Sequence, residues 1–127
     1  MAVKLTLTFT NGTLRGQRRE FTGPAECLIG RSDDCDLQLP PGREFMDVSR
    51  HHCLLEIDPA AVRVRDLGSR NGTFVNGQNI GQRPWGEGRE KASESGWHPL
   101  LEGDELNVGE TRLRVEICAA QECDCVR

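Results

Sequence analysis

The run Asp66-Leu-Gly-Ser-Arg-Asn-Gly-Thr-Phe-Val-Asn-Gly77 contains two Asn-Gly pairs that are separated by only three residues. Asn-Gly is the strongest short-range signal for a β-hairpin turn, because both residues accept a positive φ angle. Asn76-Gly77 therefore predicts an ordinary two-residue turn. Residues 66–72 are almost all turn formers, which predicts an exposed loop instead. The polar side chains of this loop are our first candidates for ligand contacts.

The rest of the 127-residue chain has the composition of a folded domain. Charged residues make up 28% and hydrophobic residues 36%, which excludes both a disordered chain and a membrane-spanning one. The net charge of -4 argues against nucleic acid or an anionic membrane surface as a partner, since both attract basic proteins. The first residues lack the apolar run of a signal peptide, so we expect a cytoplasmic protein.

Alternating apolar residues predict short β-strands along most of the chain. Val3, Leu5, Leu7 and Phe9 share one face, and residues 61–66 place valines inward and Arg63 and Arg65 outward. No window shows the 3.6-residue periodicity of a helix. About ten or eleven strands with frequent turns predict an all-β fold, an antiparallel two-sheet β-sandwich with its ligand loops at one end.

The strand pattern fails between about residues 81 and 99, where Gly, Pro, Glu, Lys and Ser dominate. We expect a loop insertion there, whose Trp85 and Trp97 either pack on the sandwich or meet a partner. We assign residues 1–118 to one domain. Residues 119–127 form a Cys-containing tail, which is either the end of the chain or the start of a truncated following segment.

Six cysteines without a signal peptide or regular spacing predict reduced thiols rather than a disulfide framework. Three of them fall in apolar segments, where a free cysteine behaves as a small hydrophobic residue. The other three, Cys118, Cys123 and Cys125, are weak candidates for a zinc site, against the simpler interpretation of a thiol tail. We expect no other metal and no cofactor.

Three predicted loops each carry an arginine and a serine. Together they offer three guanidiniums, three serine hydroxyls and an asparagine amide. The fork of donors on an arginine matches two oxygens of a phosphate, so loops of this kind at one end of a sandwich predict a phosphate-binding site. The loops are Gly30-Arg31-Ser32, Ser49-Arg50-His51-His52 and Ser69-Arg70-Asn71-Gly72.

These motifs resemble those of the forkhead-associated (FHA) domain family, a phosphopeptide-recognition family. The resemblance covers roughly residues 3–117. Each motif alone is weak, but five in the family's order with plausible spacing are specific. They are Gly30-Arg31, Ser49-Arg50-His51-His52, Asp66 to Thr73, Asn76-Gly77 and Gly103-Asp104.

The resemblance implies an eleven-stranded sandwich that binds phosphothreonine peptides through loops at one end. Arg31 would then pair with the phosphate, Ser49 would donate its hydroxyl, and Arg70 would close the other side. Arg50 would assist from the rim. Asn71 would hydrogen-bond the peptide main chain beside the phosphothreonine.

The resemblance also implies structural roles. Gly30 and Gly72 would allow turns, His52 would brace the loop that carries Ser49, and Asn76-Gly77 would form a hairpin turn. Asp47 would disfavour an acidic side chain at the third residue after the phosphothreonine. The partners would be proteins phosphorylated on threonine, such as a Ser/Thr kinase or its substrates, and the domain itself would not be an enzyme.

Three alternatives compete with this interpretation. The same sandwich could be a protein-interaction scaffold that does not require phosphate. Ser49, His52 and Asp66 are the residue types of a catalytic triad, but no nucleophile-elbow motif is present. His51 and His52 could bind a metal, although adjacent residues on a strand face opposite ways.

Overall fold

The structure of the protein, a computed structural model, describes residues 3–83 and 96–119. Within these residues the chain forms eleven β-strands and a single 3-10 helix, Arg43–Phe45. The strands are β1 (Val3–Phe9), β2 (Arg18–Gly23), β3 (Ala25–Gly30), β4 (Leu37–Gln38), β5 (Cys53–Asp58), β6 (Ala61–Asp66), β7 (Thr73–Val75), β8 (Gln78–Gly81), β9 (His98–Leu100), β10 (Glu105–Val108) and β11 (Thr111–Ala119).

The strands form two sheets that pack as a sandwich. A six-stranded sheet has the order β2-β1-β11-β10-β7-β8, and a five-stranded sheet has the order β4-β3-β5-β6-β9. The predicted all-β, two-sheet sandwich of about eleven strands is confirmed. The pair β3–β4 differs, because it is parallel, with Ile29 opposite Leu37. The Asp36 carboxylate accepts a hydrogen bond from the backbone N–H of Leu28 at 2.8 Å, which holds the connecting loop beside β3 so that β4 runs in the same direction.

The core lies between the sheets and is built from the inward residues of the alternating strands. The segment before β5 also contributes to the core, because Phe45 and Val48 are buried in it. These two apolar anchors fix the position of Ser49. The buried apolar side chains include Leu5, Leu7, Phe9, Ile29, Leu37, Leu55, Ile57, Val64, Leu106, Val108, Leu113 and Val115.

Part of the predicted insertion lies outside the described residues, including Trp85. Trp97 is described, and it packs against the outer face of the five-stranded sheet, where the guanidinium carbon of Arg63 is 4.9 Å from the centroid of its ring. No helix within residues 3–83 and 96–119 has both the length and the apolar character needed to cross a membrane.

The cysteines follow the prediction in part. Cys27 and Cys53 are buried free thiols, and Cys35 is a half-buried one. Burial, with a smaller effect of the Asp36 carboxylate, raises the pKa of the Cys27 thiol to about 12. Cys118 is disulfide-bonded, so the expectation of a reduced thiol was wrong there, since spacing alone does not show which sulfur atoms approach each other. Cys123 and Cys125 lie outside the described residues.

Candidate anion-binding site

The loops at one end of the sandwich enclose an open cleft of about 670 Å³. Ligand sites in proteins commonly have volumes of this size. Among residues 3–83 and 96–119, five of the lining residues are arginines, and one, the buried Asp66, carries a carboxylate. In a chain of net charge -4, this is a local concentration of positive charge. The cleft is lined by Arg31, Ser49, Arg50, His51, Arg65, Asp66, Leu67, Gly68, Arg70 and Arg83.

Arg31 directly follows β3 and is held by the neighbouring loop. Its Nε donates to the carbonyl oxygen of Val48 at 2.5 Å, which leaves the two terminal nitrogens of the guanidinium as donors for an anion. Gly30 has no positive φ angle. A Cβ atom at this position would instead collide with the carbonyl group of Arg50. Gly30 therefore permits a close approach between two loops rather than the turn that we expected.

Ser49 and Arg70 join the second and third loops. The Oγ atom of Ser49 accepts a hydrogen bond from the backbone N–H of Arg70 at 3.0 Å. Because this bond uses a lone pair, the hydroxyl proton of Ser49 can be donated to an anion in the cleft. Arg50 is exposed at the same rim. The four predicted phosphate ligands thus line one cleft, and phosphate binding by them stays a prediction.

His52 is fully buried and connects the same two loops. Its Nδ1 accepts a hydrogen bond from the backbone N–H of Ser49 at 3.0 Å, and its Nε2 is 2.8 Å from the carbonyl oxygen of Gly72. The Ser49 N–H can only donate, so Nδ1 is unprotonated and Nε2 carries the proton. Burial lowers the pKa of His52 below its ordinary 6.5, against smaller opposing effects of the Gly72 carbonyl and the Asp66 carboxylate.

Asp66 organises the loop after β6 from inside. Its carboxylate accepts hydrogen bonds from the backbone N–H groups of Gly68 and Ser69, at 2.8 and 2.9 Å. It also accepts from the hydroxyl groups of Ser69 and Thr73, at 2.5 and 2.6 Å. The Ser69 hydroxyl is therefore buried in the loop and is not one of the phosphate donors that its residue type suggested.

Asn71 and Asp47 lie beside the cleft, where they form part of the contact between the loops. The Asn71 side-chain amide donates to the backbone carbonyl of Asp47 at 2.8 Å. The Asp47 carboxylate accepts from the backbone N–H of Glu110, in the turn between β10 and β11. The carbonyl oxygen of Asn71's side chain is not used in this contact. The predicted roles of Asn71 and Asp47 toward a peptide stay predictions.

The predicted hairpin residues lie away from the cleft. Asn76 and Gly77 connect β7 to β8 with φ angles of 52° and 85°. The Asn76 side chain also contacts the start of β10: its Nδ2 donates to the Asp104 carboxylate at 3.0 Å, and its Oδ1 accepts from the backbone N–H of Glu105 at 2.9 Å.

The geometry does not assemble Ser49, His52 and Asp66 into a catalytic triad, nor His51 and His52 into a metal site. Both ring nitrogens of His52 contact backbone groups, and neither contacts the Ser49 hydroxyl or the Asp66 carboxylate. His51 is exposed and points away from His52, with its Nε2 at 2.9 Å from the carboxylate of Asp34. Hydrogen bonds from Ser32 and His51 lower the pKa of Asp34.

Two arginines of the cleft, Arg65 and Arg83, were not among the predicted site residues. Arg65 is the last outward-facing residue before Asp66, so the strand alternation placed it beside the loop. Arg83 follows β8, in the segment that we predicted as an insertion. The sequence held one indication of its position. The β7–β8 hairpin begins at the loop after β6, so the end of the hairpin returns close to that loop.

Comparison with known proteins identifies similar domains. The sequence profile of the FHA domain matches residues 27–90 of this chain. The chain is 42% identical over 57 residues to the ABC transporter ATP-binding/permease protein Rv1747 of Mycobacterium tuberculosis. That match covers 45% of this chain and 6% of the transporter protein, so the chain spans a small fraction of this relative's length.

Solved FHA domains align with most of the chain. One, from a study of phosphothreonine-dependent FHA domain interactions, is 25% identical with a TM-score of 0.67, covering 89% of this chain and 95% of that one. The FhaA FHA domain, in complex with the intracellular domain of Rv3910, is 25% identical with a TM-score of 0.66. The alignment covers 88% of this chain and 99% of that one. The kinase-interacting FHA domain of the Arabidopsis phosphatase KAPP has a TM-score of 0.73 at 22% identity, covering 93% and 96%, which indicates the same fold.

Proposed function

We propose that this chain, which belongs to the FHA domain family, binds phosphothreonine in a partner protein without catalysing a reaction. FHA domains are phosphopeptide-recognition modules, and a solved relative of this chain takes part in phosphothreonine-dependent interactions. The proposal that phosphothreonine is the ligand of this chain depends on the donors that line the cleft.

The observation that carries the proposal is the convergence of Arg31, Ser49 and Arg70 from three loops onto one cleft. The terminal nitrogens of Arg31 and the hydroxyl proton of Ser49 remain as donors after their contacts with the protein are made. A phosphate group carries a charge of about -1.5 to -2 and accepts several charge-assisted hydrogen bonds. Its chemistry therefore matches the donors that the loops present.

The loops are also held in place before any ligand arrives. His52 ties the backbone at Ser49 to the backbone at Gly72, and the Ser49 hydroxyl oxygen ties this loop to Arg70. Donors that are already fixed lose less conformational entropy when the ligand binds. We infer that the domain binds phosphothreonine by a mostly preformed site.

Peptide recognition beyond the phosphate would come from Asn71 and Asp47. The side-chain carbonyl of Asn71, which takes no part in the contact with Asp47, would accept a hydrogen bond from a peptide N–H group. Asp47 would disfavour an acidic residue at the third position after the phosphothreonine, because like charges repel. Preference for threonine over serine would need a contact with the extra methyl group, which contributes about 1 kcal/mol.

The partners that fit this function are threonine-phosphorylated proteins in signalling, such as a Ser/Thr kinase or its substrates, and we place the interaction in the cytoplasm. The second candidate function is a scaffold that binds proteins without phosphate. The solved complex of the FhaA FHA domain with the intracellular domain of Rv3910 illustrates that an FHA domain can engage a whole protein domain.

A titration with matched peptides separates the two candidates. We expect a phosphothreonine peptide to bind and its unphosphorylated twin to bind at least tenfold more weakly. Replacing Arg31 by alanine removes a charge-assisted contact, so we expect about 30- to 150-fold weaker binding of the phosphorylated peptide. Arg114→Ala, on an exposed strand position outside the cleft, is the control and should bind normally. Equal affinity for both peptides would favour the scaffold.

A further inference from the structure

An aspartate, a cysteine and a histidine come together beside the cleft, from the loop between β3 and β4 and from the loop before β5. A carboxylate oxygen of Asp34, the Sγ atom of Cys35 and a ring nitrogen of His51 all lie within 4.8 Å of one another. The proposed function gives these three side chains no role. His51 is 17 residues from Asp34 in the chain, so sequence spacing did not indicate a metal there.

Hydrogen bonds between the two loops hold the sulfur atom of Cys35 beside His51. The backbone N–H of Ser32 donates to the carbonyl of Arg50 at 3.1 Å, and the N–H of Cys35 donates to the carbonyl of Ser32 at 3.1 Å. The Sγ atom of Cys35 lies 3.3 Å from the same Arg50 carbonyl. Because His51 directly follows Arg50, the backbone places the thiol and the imidazole close together.

The imidazole and the carboxylate already face each other. The Nε2 atom of His51 lies 2.9 and 3.1 Å from the two carboxylate oxygens of Asp34. Both residues are exposed, so a metal ion can reach them from solvent and a water molecule can complete its coordination. Exposure also leaves the two side chains room to move apart around an ion.

The three ligand types select zinc among the common divalent metals. Zn²⁺ accepts thiolate, imidazole and carboxylate ligands, whereas Ca²⁺ and Mg²⁺ prefer oxygen alone. Zn–N and Zn–S bonds of about 2.0 and 2.3 Å place the ligand atoms of a tetrahedral site about 3.3 to 3.6 Å apart. Atoms that lie within 4.8 Å of one another reach this spacing through side-chain shifts of about 1 Å.

We propose that Asp34, Cys35 and His51 bind Zn²⁺, with a water molecule as the fourth ligand. Zinc sites with three protein ligands and a water molecule are an established type. The thiol proton of Cys35 leaves to solvent when the metal binds. One thiolate and one carboxylate then balance the charge of the ion, and the imidazole binds as a neutral ligand. The inference does not depend on phosphothreonine binding.

Cobalt titration of the full chain tests this site. The protein is treated with a chelator, transferred to buffer without thiols and titrated with Co²⁺, which accepts the same ligands and absorbs light. We expect about one Co²⁺ per chain to give the near-ultraviolet absorption of a cobalt–thiolate bond. Displacement of Co²⁺ by Zn²⁺ abolishes this absorption and gives the dissociation constant for zinc.

Substitutions assign the absorption to the three ligands. Cys35→Ser should lose the cobalt–thiolate band. Asp34→Asn and His51→Gln should weaken zinc binding by more than about tenfold, because even the loss of a group that only supports a ligand has this effect. Asp33→Asn changes an exposed neighbour outside the cluster and should bind zinc normally. Zn²⁺ should also raise the melting temperature of the wild-type chain but not that of His51→Gln.

The cysteines near the end of the chain need a separate control, since they can also bind cobalt. Cys123→Ser/Cys125→Ser should keep the cobalt–thiolate band. A band that is lost in this variant and kept in Cys35→Ser would place the metal at the end of the chain and overturn the proposal. Cobalt binding to the wild-type chain without a thiolate band would overturn it as well.

Discussion

The dipeptide Asn-Gly occurs at residues 71–72 and again at 76–77, and the two copies have different structures. In the second pair both residues have positive φ angles, 52° for Asn76 and 85° for Gly77, as a tight hairpin turn requires. In the first pair Gly72 alone has a positive φ angle, of 95°. The same two residues therefore form a hairpin turn once and part of a binding loop once.

The difference comes from what surrounds each glycine. A Cβ atom at Gly77 would meet nothing within 4 Å, whereas one at Gly72 would lie 2.9 Å from the Phe74 ring and 3.0 Å from the Gln82 side chain. The Gly72 carbonyl also contacts His52. The second pair is an open turn, and the first is a packed junction between loops. Tertiary contacts, not the dipeptide, decide which structure forms.

Alanine at the two glycines tests this difference most directly and should give the largest effect. We expect Gly72→Ala to lower the free energy of unfolding by about 3 kcal/mol, because the positive φ angle and the collisions with two side chains both oppose a Cβ atom. Gly77→Ala should cost about 1 kcal/mol, since only the φ angle opposes it. Urea denaturation measures both values, and equal losses would show that Gly72 is not specially constrained.

His52 joins the first Asn-Gly pair to the loop that carries Ser49. Its substitution should have the next largest effect on stability. His52→Gln removes two buried hydrogen-bond contacts that join the Ser49 and Gly72 backbones, so we expect a loss of about 2 kcal/mol. Phosphopeptide affinity should fall as well, because Ser49 loses its support. Asn76→Gln is the matched control in the open turn, and it should leave the affinity unchanged.

The pH dependence of stability gives an independent test of His52. Its pKa in the folded protein is lower than its ordinary 6.5, so the unfolded chain binds the proton first as the pH falls. Stability is therefore lost below pH 6.5, by up to about 1.4 kcal/mol per pH unit until the folded pKa is reached. This slope should be absent from His52→Gln. An identical slope in the variant would show that other groups cause it.

The fold was largely predictable because strand alternation depends on local sequence. The inward valines of β6 and the apolar residues of β1 were identified by their period of two; the valines, Leu5, Leu7 and Phe9 are buried, and Val3 is partly buried. The parallel β3–β4 pair was not predicted, because it depends on the contact between Asp36 and the Leu28 backbone, which links residues in separate elements. The disulfide at Cys118 was missed because the spacing of the cysteines does not show which sulfur atoms approach each other.

The candidate site was predictable where motifs mark it. Arg31, Ser49, Arg50 and Arg70 were identified from sequence, and they line one cleft. Arg83 was not, because a hydrogen bond to the Ser69 carbonyl brings it there and no local pattern predicts that bond. Residue type was also misleading at Ser69, whose hydroxyl is buried against Asp66 rather than exposed.

Alanine at the two asparagines should change stability less than Gly72→Ala or His52→Gln does, and the two variants should differ in the property that they affect. Asn76→Ala removes contacts with Asp104 and with the Glu105 backbone and places alanine at a positive φ angle, so we expect a loss of about 1.5 kcal/mol with normal peptide affinity. Asn71→Ala removes one exposed contact with the Asp47 carbonyl and should cost about 0.5 kcal/mol. It should nevertheless weaken phosphopeptide binding about tenfold, because Asn71 is proposed to hold the peptide main chain.

Thermal or urea melts and a peptide titration of both variants measure the two effects separately. If Asn71→Ala bound the peptide as tightly as Asn76→Ala, the first pair would be a structural junction only, and the contrast between the two Asn-Gly pairs would not extend to function.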